Sequence, residues 1–384
     1  MLENKDLIKS FYATYSVGLI TIFLVSSIFI YTPFILSLLQ LSKQQFSYAP
    51  TFFGIFVVIS NLLSSRFLIP KIGTTNCLII SRLIISFIPL SVFYFENYFF
   101  LLLSFSLLGV GMGIQAPSAL TQVTIIEKKT NKILMPIFKT SWAIGAMIAA
   151  IISSISLWLN IDPLKHFFIL GILAILAIVF IKIYGLKKKY DIINKSPKLS
   201  LPTLNTFLFG SINMIQMAIM GIIGVWSSVW LLEDLNSSLF LAGSIVFFFN
   251  LGSIISNFLA PKLIRLTSEL IVGPYFSIIG STLLFLCILT MNVYIIFIGI
   301  ALFGFLTSNI MPIIFRQSVK MSSKPIPTTI SHVTSLGQSG FVFGPAIVGY
   351  SAEVNGLTFN VYAFSILFLI ISTMMIFLMN QSKK

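Results

Sequence analysis

Long apolar runs follow one another along almost the whole chain and constrain its fold more than any other feature. Only 9% of the 384 residues are charged, whereas soluble domains carry about 25% charged residues. A helix that spans a membrane needs about 20 mostly apolar residues, because the hydrocarbon layer is about 30 Å thick. Transmembrane barrels alternate apolar and polar residues, and these runs do not. The sequence therefore predicts an all-α membrane protein.

Measured against that length, the apolar runs predict twelve membrane-spanning helices. These expected spans cover residues 11–39, 48–69, 77–95, 98–126, 133–158, 165–184, 203–232, 237–260, 270–290, 293–317, 327–352 and 357–380.

Two internal repeats indicate that the chain is built from two related halves. Glycines and prolines of the stretch 109–146 recur 195 positions later, pairing Gly109 with Gly304, Pro117 with Pro312 and Gly145 with Gly340. A second match relates residues 65–71 to residues 256–262 at an offset of 191. We therefore expect a six-helix half at 1–184, a cytoplasmic central loop at 185–202 and a second six-helix half at 203–384.

Lysine and arginine predict the orientation. With both termini in the cytoplasm, 20 of the 24 basic residues fall on the cytoplasmic side, as the positive-inside rule expects. The exceptions are Lys43 and Lys165 in outer loops and Arg82 and Lys139 within spans. Membrane topology thus accounts for the net charge of +14, and we expect the lipid bilayer, not nucleic acid, as a partner. We interpret the lysine-rich central loop either as a solvated connector or as a segment whose lysines contact lipid headgroups.

This six-plus-six arrangement, with a basic central loop, resembles the major facilitator superfamily. The turn between the second and third spans reads SRFLIPKIGTTN and keeps Arg66, Lys71 and Gly73 of the family's Gly-x-x-x-Asp-Arg-x-Gly-Arg-Arg motif. The acid of that motif is missing, so a helix latch through an aspartate of this turn is not carried over.

Finer features are similar to the bacterial inner-membrane group near the fucose permeases. They are the tenth and eleventh spans and the segment FKTSWAIGA of the fifth. The chain departs from that group at Tyr31, where the group often has arginine, and at Lys139-Thr140, where it often has His-Gly. The resemblance implies a secondary transporter of the bacterial cytoplasmic membrane that works by alternating access, but these departures mean that the substrate is not carried over. We expect the solute to be small and polar, either sugar-like or another small metabolite. We expect a monomer without a cofactor, with or without a coupling ion.

Polar residues at membrane depth are costly and are therefore the candidate substrate-binding residues. Lys139 either faces the substrate or lifts its ammonium toward the headgroups, and Arg82 is read as structural. Amides suit neutral polar solutes and aromatic rings can stack on a sugar face. The predicted set comprises Lys139, Gln115, Trp142, Asn213, Gln216, Asn309, Gln338, Tyr31 and Trp226. Gly344 and Pro345, in the eleventh span, are read as a packing site or a flexing point for gating.

The residue types and motifs that the sequence lacks exclude further classes of function. No Asp or Glu lies inside an expected span, although proton-coupled carriers usually use such a carboxylate. The sequence has no Gly-rich phosphate loop, metal cluster or nucleophile motif, so we do not expect an enzyme. Facilitated diffusion, or coupling through another group, is therefore favoured. Efflux of amphiphilic compounds and a non-transporting membrane sensor are the alternatives.

Overall fold

The structure is a computed structural model that describes residues 2–130, 134–188, 190, 191, 201–323 and 326–381. Across these residues the chain is almost entirely helical and contains no β-strand. Most of the expected central loop, residues 189 and 192–200, lies outside the described residues.

The helices of the first half begin at the second residue. They are α1 (Leu2–Ile30), α2 (Thr32–Leu38), α3 (Lys43–Leu63), α4 (Ile69–Ile72), α5 (Thr74–Phe95), α6 (Tyr98–Thr130), α7 (Met135–Trp158) and α8 (Pro163–Tyr184).

The second half begins with α9 after the central loop. Its helices are α9 (Leu204–Glu233), α10 (Leu239–Leu266), α11 (Phe276–Leu289), α12 (Val293–Thr307), α13 (Ile310–Lys320) and α14 (Ile326–Gln381).

Eleven helical stretches of the described residues are long and apolar enough to cross a membrane. The last of them, His332–Asn380, has 49 residues, which is long enough for two crossings. Gly356 divides it, because its φ of 77° is incompatible with a continuing helix. The stretch thus holds the eleventh and twelfth expected spans, and the predicted all-helical architecture is confirmed.

Proline explains where the observed helices depart from the expected continuous spans. The first span breaks at Tyr31, and α2 restarts with Pro33 in its first turn, where a missing N–H costs nothing. A π-helical turn, Ser64–Leu68, precedes Pro70, and a second, Ile271–Tyr275, contains Pro274. Proline cannot donate to the carbonyl four residues before it and clashes with that carbonyl, so the local winding changes.

The chain forms two compact units. One comprises Met1–Tyr31 with Phe52–Lys198, and the other comprises Thr32–Thr51 with Leu199–Lys384. Within the second unit, Lys43 pairs with Glu233 at 2.6 Å, and the backbone N–H of Gln44 donates to Glu353 at 3.0 Å. The segment between the first two spans is therefore tied to α9 and α14. Our division of the chain at the central loop stays a prediction.

Glycines set the helix contacts of the first unit. A Cβ at Gly109 on α6 would collide with the backbone carbonyl of Phe53 on α3. A Cβ at Gly145 on α7 would collide with the carbonyl of Leu19 on α1. Helices in lipid gain their stability from close packing, which small residues permit.

The second unit repeats both contacts. Gly304 on α12 lies against the carbonyl of Phe249 on α10, and Gly340 on α14 lies against the carbonyl of Met214 on α9. The partner residues are offset from those of the first unit by 196 and 195 positions. The repeat read from the glycines therefore extends to the surfaces on which they pack.

We expect Gly145→Ala and Gly340→Ala to lower the melting temperature of the purified protein. Each methyl group would press on a backbone carbonyl, and overpacking costs about 1–3 kcal/mol. Gly224→Ala is the matched control, because a Cβ there meets no atom within 4 Å. It should leave the melting temperature unchanged or raise it, since alanine favours a helix. Equal melting temperatures for all three variants would contradict this packing role.

Candidate functional site

Lys139 lies in the second turn of α7 and is half-buried. Its ammonium is 4.2 Å from the centroid of the Trp142 ring, one turn further along the same helix. A cation over a tryptophan face is stabilised by the ring quadrupole, most strongly where water is scarce. Lys139 thus presents its charge beside an aromatic surface within a membrane span.

Two residues of α1 complete this part of the first unit. The hydroxyls of Tyr15 and Thr140 are 3.3 Å apart and hydrogen-bonded. A Cβ built on Gly18 would lie 3.0 Å from Nε1 of Trp142. The absence of a side chain at Gly18 makes room for the indole ring. We call Tyr15, Lys139, Thr140 and Trp142 the lysine cluster.

The second unit has the reverse arrangement at the equivalent positions. Gly337, 195 positions after Trp142, faces Asn213, 195 positions after Gly18. The large and the small residue have exchanged helices. The Asn213 amide donates to the backbone carbonyl of Val333 at 3.2 Å, and Thr334 replaces Lys139. This unit therefore ties its two helices together where the first unit places a charge.

The remaining amides of the second unit have different environments. Asn309 donates to the Ser256 hydroxyl at 2.8 Å and so links α10 to the segment between α12 and α13. Gln216 is 3% exposed, and its side-chain oxygen has no hydrogen-bond partner. Gln338 is half-buried on α14. The substrate-binding role of these residues stays a prediction.

Gln115 and Arg82 lie inside the first unit. Gln115 is 1% exposed, and neither of its amide atoms makes a hydrogen bond. Arg82 is 0% exposed, and its Nη2 donates to the Val17 carbonyl at 2.7 Å. The guanidinium is therefore held within the protein and does not reach toward the headgroups.

Both remaining aromatic candidates are buried in aromatic surroundings. Tyr31 packs against Phe93 and Phe167, with ring centroids 5.6 and 5.2 Å away, and against His166 at 5.4 Å. The stacking of Tyr31 and Trp226 on a substrate stays a prediction, as does the role of Gly344 and Pro345. Trp226 meets the Phe46 ring edge-on at 5.9 Å. Gly344 lies 3.0 Å from Ala218 of α9, measured from the position of a Cβ.

In the turn before α5, the basic residues are exposed and the glycine is buried. Arg66 lies over the Phe67 ring at 5.4 Å, and Lys71 faces solvent. Gly73 has a φ of 83°, and a Cβ there would lie 2.7 Å from Oδ2 of Asp191. Both the backbone conformation and the close approach of a carboxylate require glycine at this position.

Asp191 of the central loop caps the N-terminus of α5. Its Oδ2 accepts hydrogen bonds from the backbone N–H and, at 2.8 Å, from the hydroxyl of Thr74. Negative charge at a helix N-terminus is favourable. Burial nevertheless raises the pKa of this carboxyl above its ordinary value of 3.8, and the bonds from Thr74 offset only part of that shift.

Comparison with known proteins identifies the family. The model of the Major Facilitator Superfamily matches residues 14–276. The chain belongs to the major facilitator superfamily.

Relatives and solved structures agree with this membership. An uncharacterized MFS-type transporter of Yersinia pestis is 26% identical over 263 residues, which are 65% of this chain and 65% of that protein. The membrane protein MosC of Rhizobium meliloti is 39% identical over 59 residues, 15% of this chain and 14% of that one. The matched parts thus span less than two thirds of either relative.

Two solved transporters have the same fold at low identity. A bacterial homologue of the human lysosomal transporter Spinster, inward-facing and occupied, is 13% identical with a TM-score of 0.72, covering 96% of each chain. The nucleoside transporter NupG is 14% identical with a TM-score of 0.69, covering 97% of this chain and 99% of that one. Membership of the superfamily supports a multi-pass membrane protein that is not an enzyme.

Within this superfamily the chain has a rearranged turn between the second and third spans. The acid that the family motif would place in the turn after the second span is absent. Asp191, from the segment after α8, supplies a carboxylate to the same turn. Sequence reasoning missed this contact, because the two residues are 117 positions apart.

Sequence reasoning also missed a repeated pair of glutamines at the ends of α6 and α13. Gln122 is fully buried, accepts from Thr14 at 2.6 Å and donates to Thr75 at 2.8 Å. Gln317, 195 positions later, donates to Glu269 at the start of the ninth span. The offset of 195, already known from the glycines, is the signal that could have found this pair.

We expect the melting temperature of the purified protein to depend on pH because of the buried carboxylate of Asp191. Because its folded pKa is raised, protonation favours the folded state, and stability falls as pH rises from 3.8 through the folded pKa. Asp191→Asn keeps an acceptor for Thr74 and should abolish this fall in melting temperature. Asp191→Ala removes the cap and should cost about 1 kcal/mol at every pH. A wild-type protein whose melting temperature rises over the same pH range would contradict the assignment.

Proposed function

We propose that this protein is a secondary transporter that moves a small polar solute across the bacterial cytoplasmic membrane by alternating access. The superfamily membership and the duplicated helix contacts support this proposal. The distribution of lysine and arginine supports cytoplasmic placement of both termini. A monomer is part of the proposal, because each unit carries its own repeated helix contacts.

The lysine cluster is the observation that carries the proposed substrate class. Lys139 offers a cation, Tyr15 and Thr140 offer hydroxyls, and Trp142 offers a ring face and an indole N–H without a hydrogen-bond partner. These groups together recognise a flat or ring-shaped solute that bears hydroxyl or anionic groups. An apolar solute would offer these groups no hydrogen bond.

The proposed coupling follows from the placement of the acids. Glu233 is the last residue of α9, and Glu353 lies three residues before the break at Gly356. Neither acid is in the middle of an expected span. A proton relay through an intramembrane carboxylate therefore has no residue to use, and we propose facilitated diffusion or coupling to another ion.

Within the superfamily we propose a place near the fucose permeases. Support comes from the tenth and eleventh spans and from the segment FKTSWAIGA. The chain departs from that group at Lys139-Thr140, where the group often has His-Gly. The exchange puts an aliphatic ammonium group where an imidazole would stand. A substrate more anionic than a neutral sugar fits this change.

Efflux of amphiphilic compounds is the second candidate, and a cavity in the second unit favours it. The cavity is lined almost entirely by apolar side chains, among them Trp226, Trp230, Phe303 and Phe364, with Asn360 as a polar contact. Such a lining suits an apolar ring with one polar group. Drug-sensitivity profiles of a deletion strain would separate the two functions, because only efflux predicts increased sensitivity.

We expect proteoliposomes containing the protein to take up a labelled solute at a rate that an imposed pH gradient does not change. A panel of sugars, nucleosides and small hydroxy acids should be screened first by the rise in melting temperature that binding produces. Strict dependence of uptake on the gradient would contradict the proposed coupling. Failure of every solute to bind or move would favour a non-transporting sensor.

We expect Lys139→Met to reduce uptake of the bound solute by about tenfold or more, because hydrogen bonds to a charged group contribute about 1.5–3 kcal/mol. The ring contact of methionine with Trp142 preserves the packing. Lys182→Met, at an exposed position in the last turn of α8, is the matched control and should transport normally. Normal uptake by the Lys139→Met variant would remove this lysine from the substrate site.

A further inference from the structure

A buried arginine without a counter-charge lies in the first unit, away from the residues assigned to the substrate. Arg82 is 0% exposed within the membrane-spanning helix α5. Only its Nη2 makes a hydrogen bond, to the Val17 carbonyl, while Nε and Nη1 have no partner. Among the carboxylates that the structure describes, none forms an ion pair with it. A charge in this position is costly unless something pairs with it.

An apolar cluster one helical turn from Arg82 shows which helices surround this residue. Val17 of α1, Leu78 of α5 and Ala119 of α6 are buried in a single apolar cluster. All three helices therefore contribute to this cluster. α1 and α5 cross the membrane in the same direction, and α6 crosses in the opposite direction.

One helical turn beyond that cluster, all three helices present a polar residue. Four positions along from the apolar residues, and on the same side of each helix, lie Thr21, Arg82 and Gln115. The hydrogen bond from Arg82 to the Val17 carbonyl agrees with this register, since that carbonyl points toward the turn that contains Thr21. We call these three residues the polar layer.

The polar layer is closed on its far side by apolar packing. One turn further along α6, Gly111 lies against the Ile85 side chain of α5, with the Cβ position 2.9 Å from Cδ1 of Ile85. The polar groups thus lie between two apolar levels that are seven to eight residues apart, roughly 10–12 Å along the helices. Solvent does not reach them.

Most of the groups in the polar layer that lack a hydrogen-bond partner are donors. Thr21 and Gln115 are each 1% exposed, and neither the hydroxyl nor the two amide atoms has a partner. With Nε and Nη1 of Arg82, the layer holds a guanidinium, an amide N–H₂ and a hydroxyl. A buried water could satisfy the amide and the hydroxyl, but it would leave the positive charge unbalanced.

We propose that Thr21, Arg82 and Gln115 bind a small monovalent inorganic anion such as chloride. Convergent donors with a positive charge and no carboxylate are the environment that a buried anion needs. The single charge of a halide or nitrate matches the single guanidinium, whereas the extra charge of phosphate or a dicarboxylate would stay unbalanced and cost more to dehydrate. The site is on α1, α5 and α6, separate from Lys139 and Trp142 of α7. It takes Gln115, which we predicted from the sequence as a substrate-binding candidate, and it does not depend on the lysine cluster.

Binding of the anion should raise the thermal stability of the purified protein. We expect the melting temperature to rise with added sodium chloride and to saturate, relative to sodium gluconate at the same ionic strength. Bromide and nitrate should act like chloride, whereas sulfate should act like gluconate. A melting temperature that is the same in chloride and gluconate would overturn the proposal and leave Arg82 bonded only to backbone carbonyls.

Two arginine variants test whether the chloride response depends on Arg82. Arg82→Gln should lose the chloride response, whereas Arg66→Gln, at an exposed arginine in the turn before α4, should keep it. Retention of the full response by Arg82→Gln would overturn the proposal.

Should Arg82→Gln fail to fold, two milder variants carry the test. Gln115→Leu and Thr21→Val keep the arginine and remove one donor each, so both should raise the half-saturating chloride concentration about fivefold or more. An unchanged half-saturating concentration in both variants would place the anion elsewhere and overturn the proposal.

Discussion

The structure depends on the direct contact of helix backbones at glycine. In lipid, apolar side chains gain nothing by leaving their solvent, so helices associate through close packing. Gly109, Gly145, Gly304 and Gly340 each place a helix against a backbone carbonyl of its neighbour. Any side chain at these positions would separate the helices. The duplicated glycines therefore define these helix pairs in both units.

The two units share this packing but differ in what lies beside it. Where the first unit has Gly18 against Trp142, the second has Asn213 against Gly337. In each unit one glycine makes room for the larger residue of the pair. The tryptophan of the first unit covers Lys139, whereas the asparagine of the second unit ties two helices together. The two units thus share the helix contact and differ in its chemistry.

Lys139 and Arg82 are both basic residues within spans, but they differ in their position along the helix and in their burial. Lys139 lies near the beginning of α7 and remains half-buried beside an indole ring. Arg82 points into the junction of three helices and is fully enclosed. The first arrangement suits a group that meets a solute. The second suits a group whose charge is balanced permanently, because access from water is closed.

The sequence by itself determined the helical class, the number of spans and the repeat, because hydropathy and glycine spacing are properties of local segments. It also placed Lys139 and Arg82 at membrane depth. Only the tertiary structure decided which polar residues bond to neighbouring helices. Asn309 meets Ser256 and Asp191 meets Thr74 across 53 and 117 positions, and no local pattern encodes such pairings. Side-chain direction at a helix junction depends on every helix that meets there, so the polar layer around Arg82 emerged only from the packed structure.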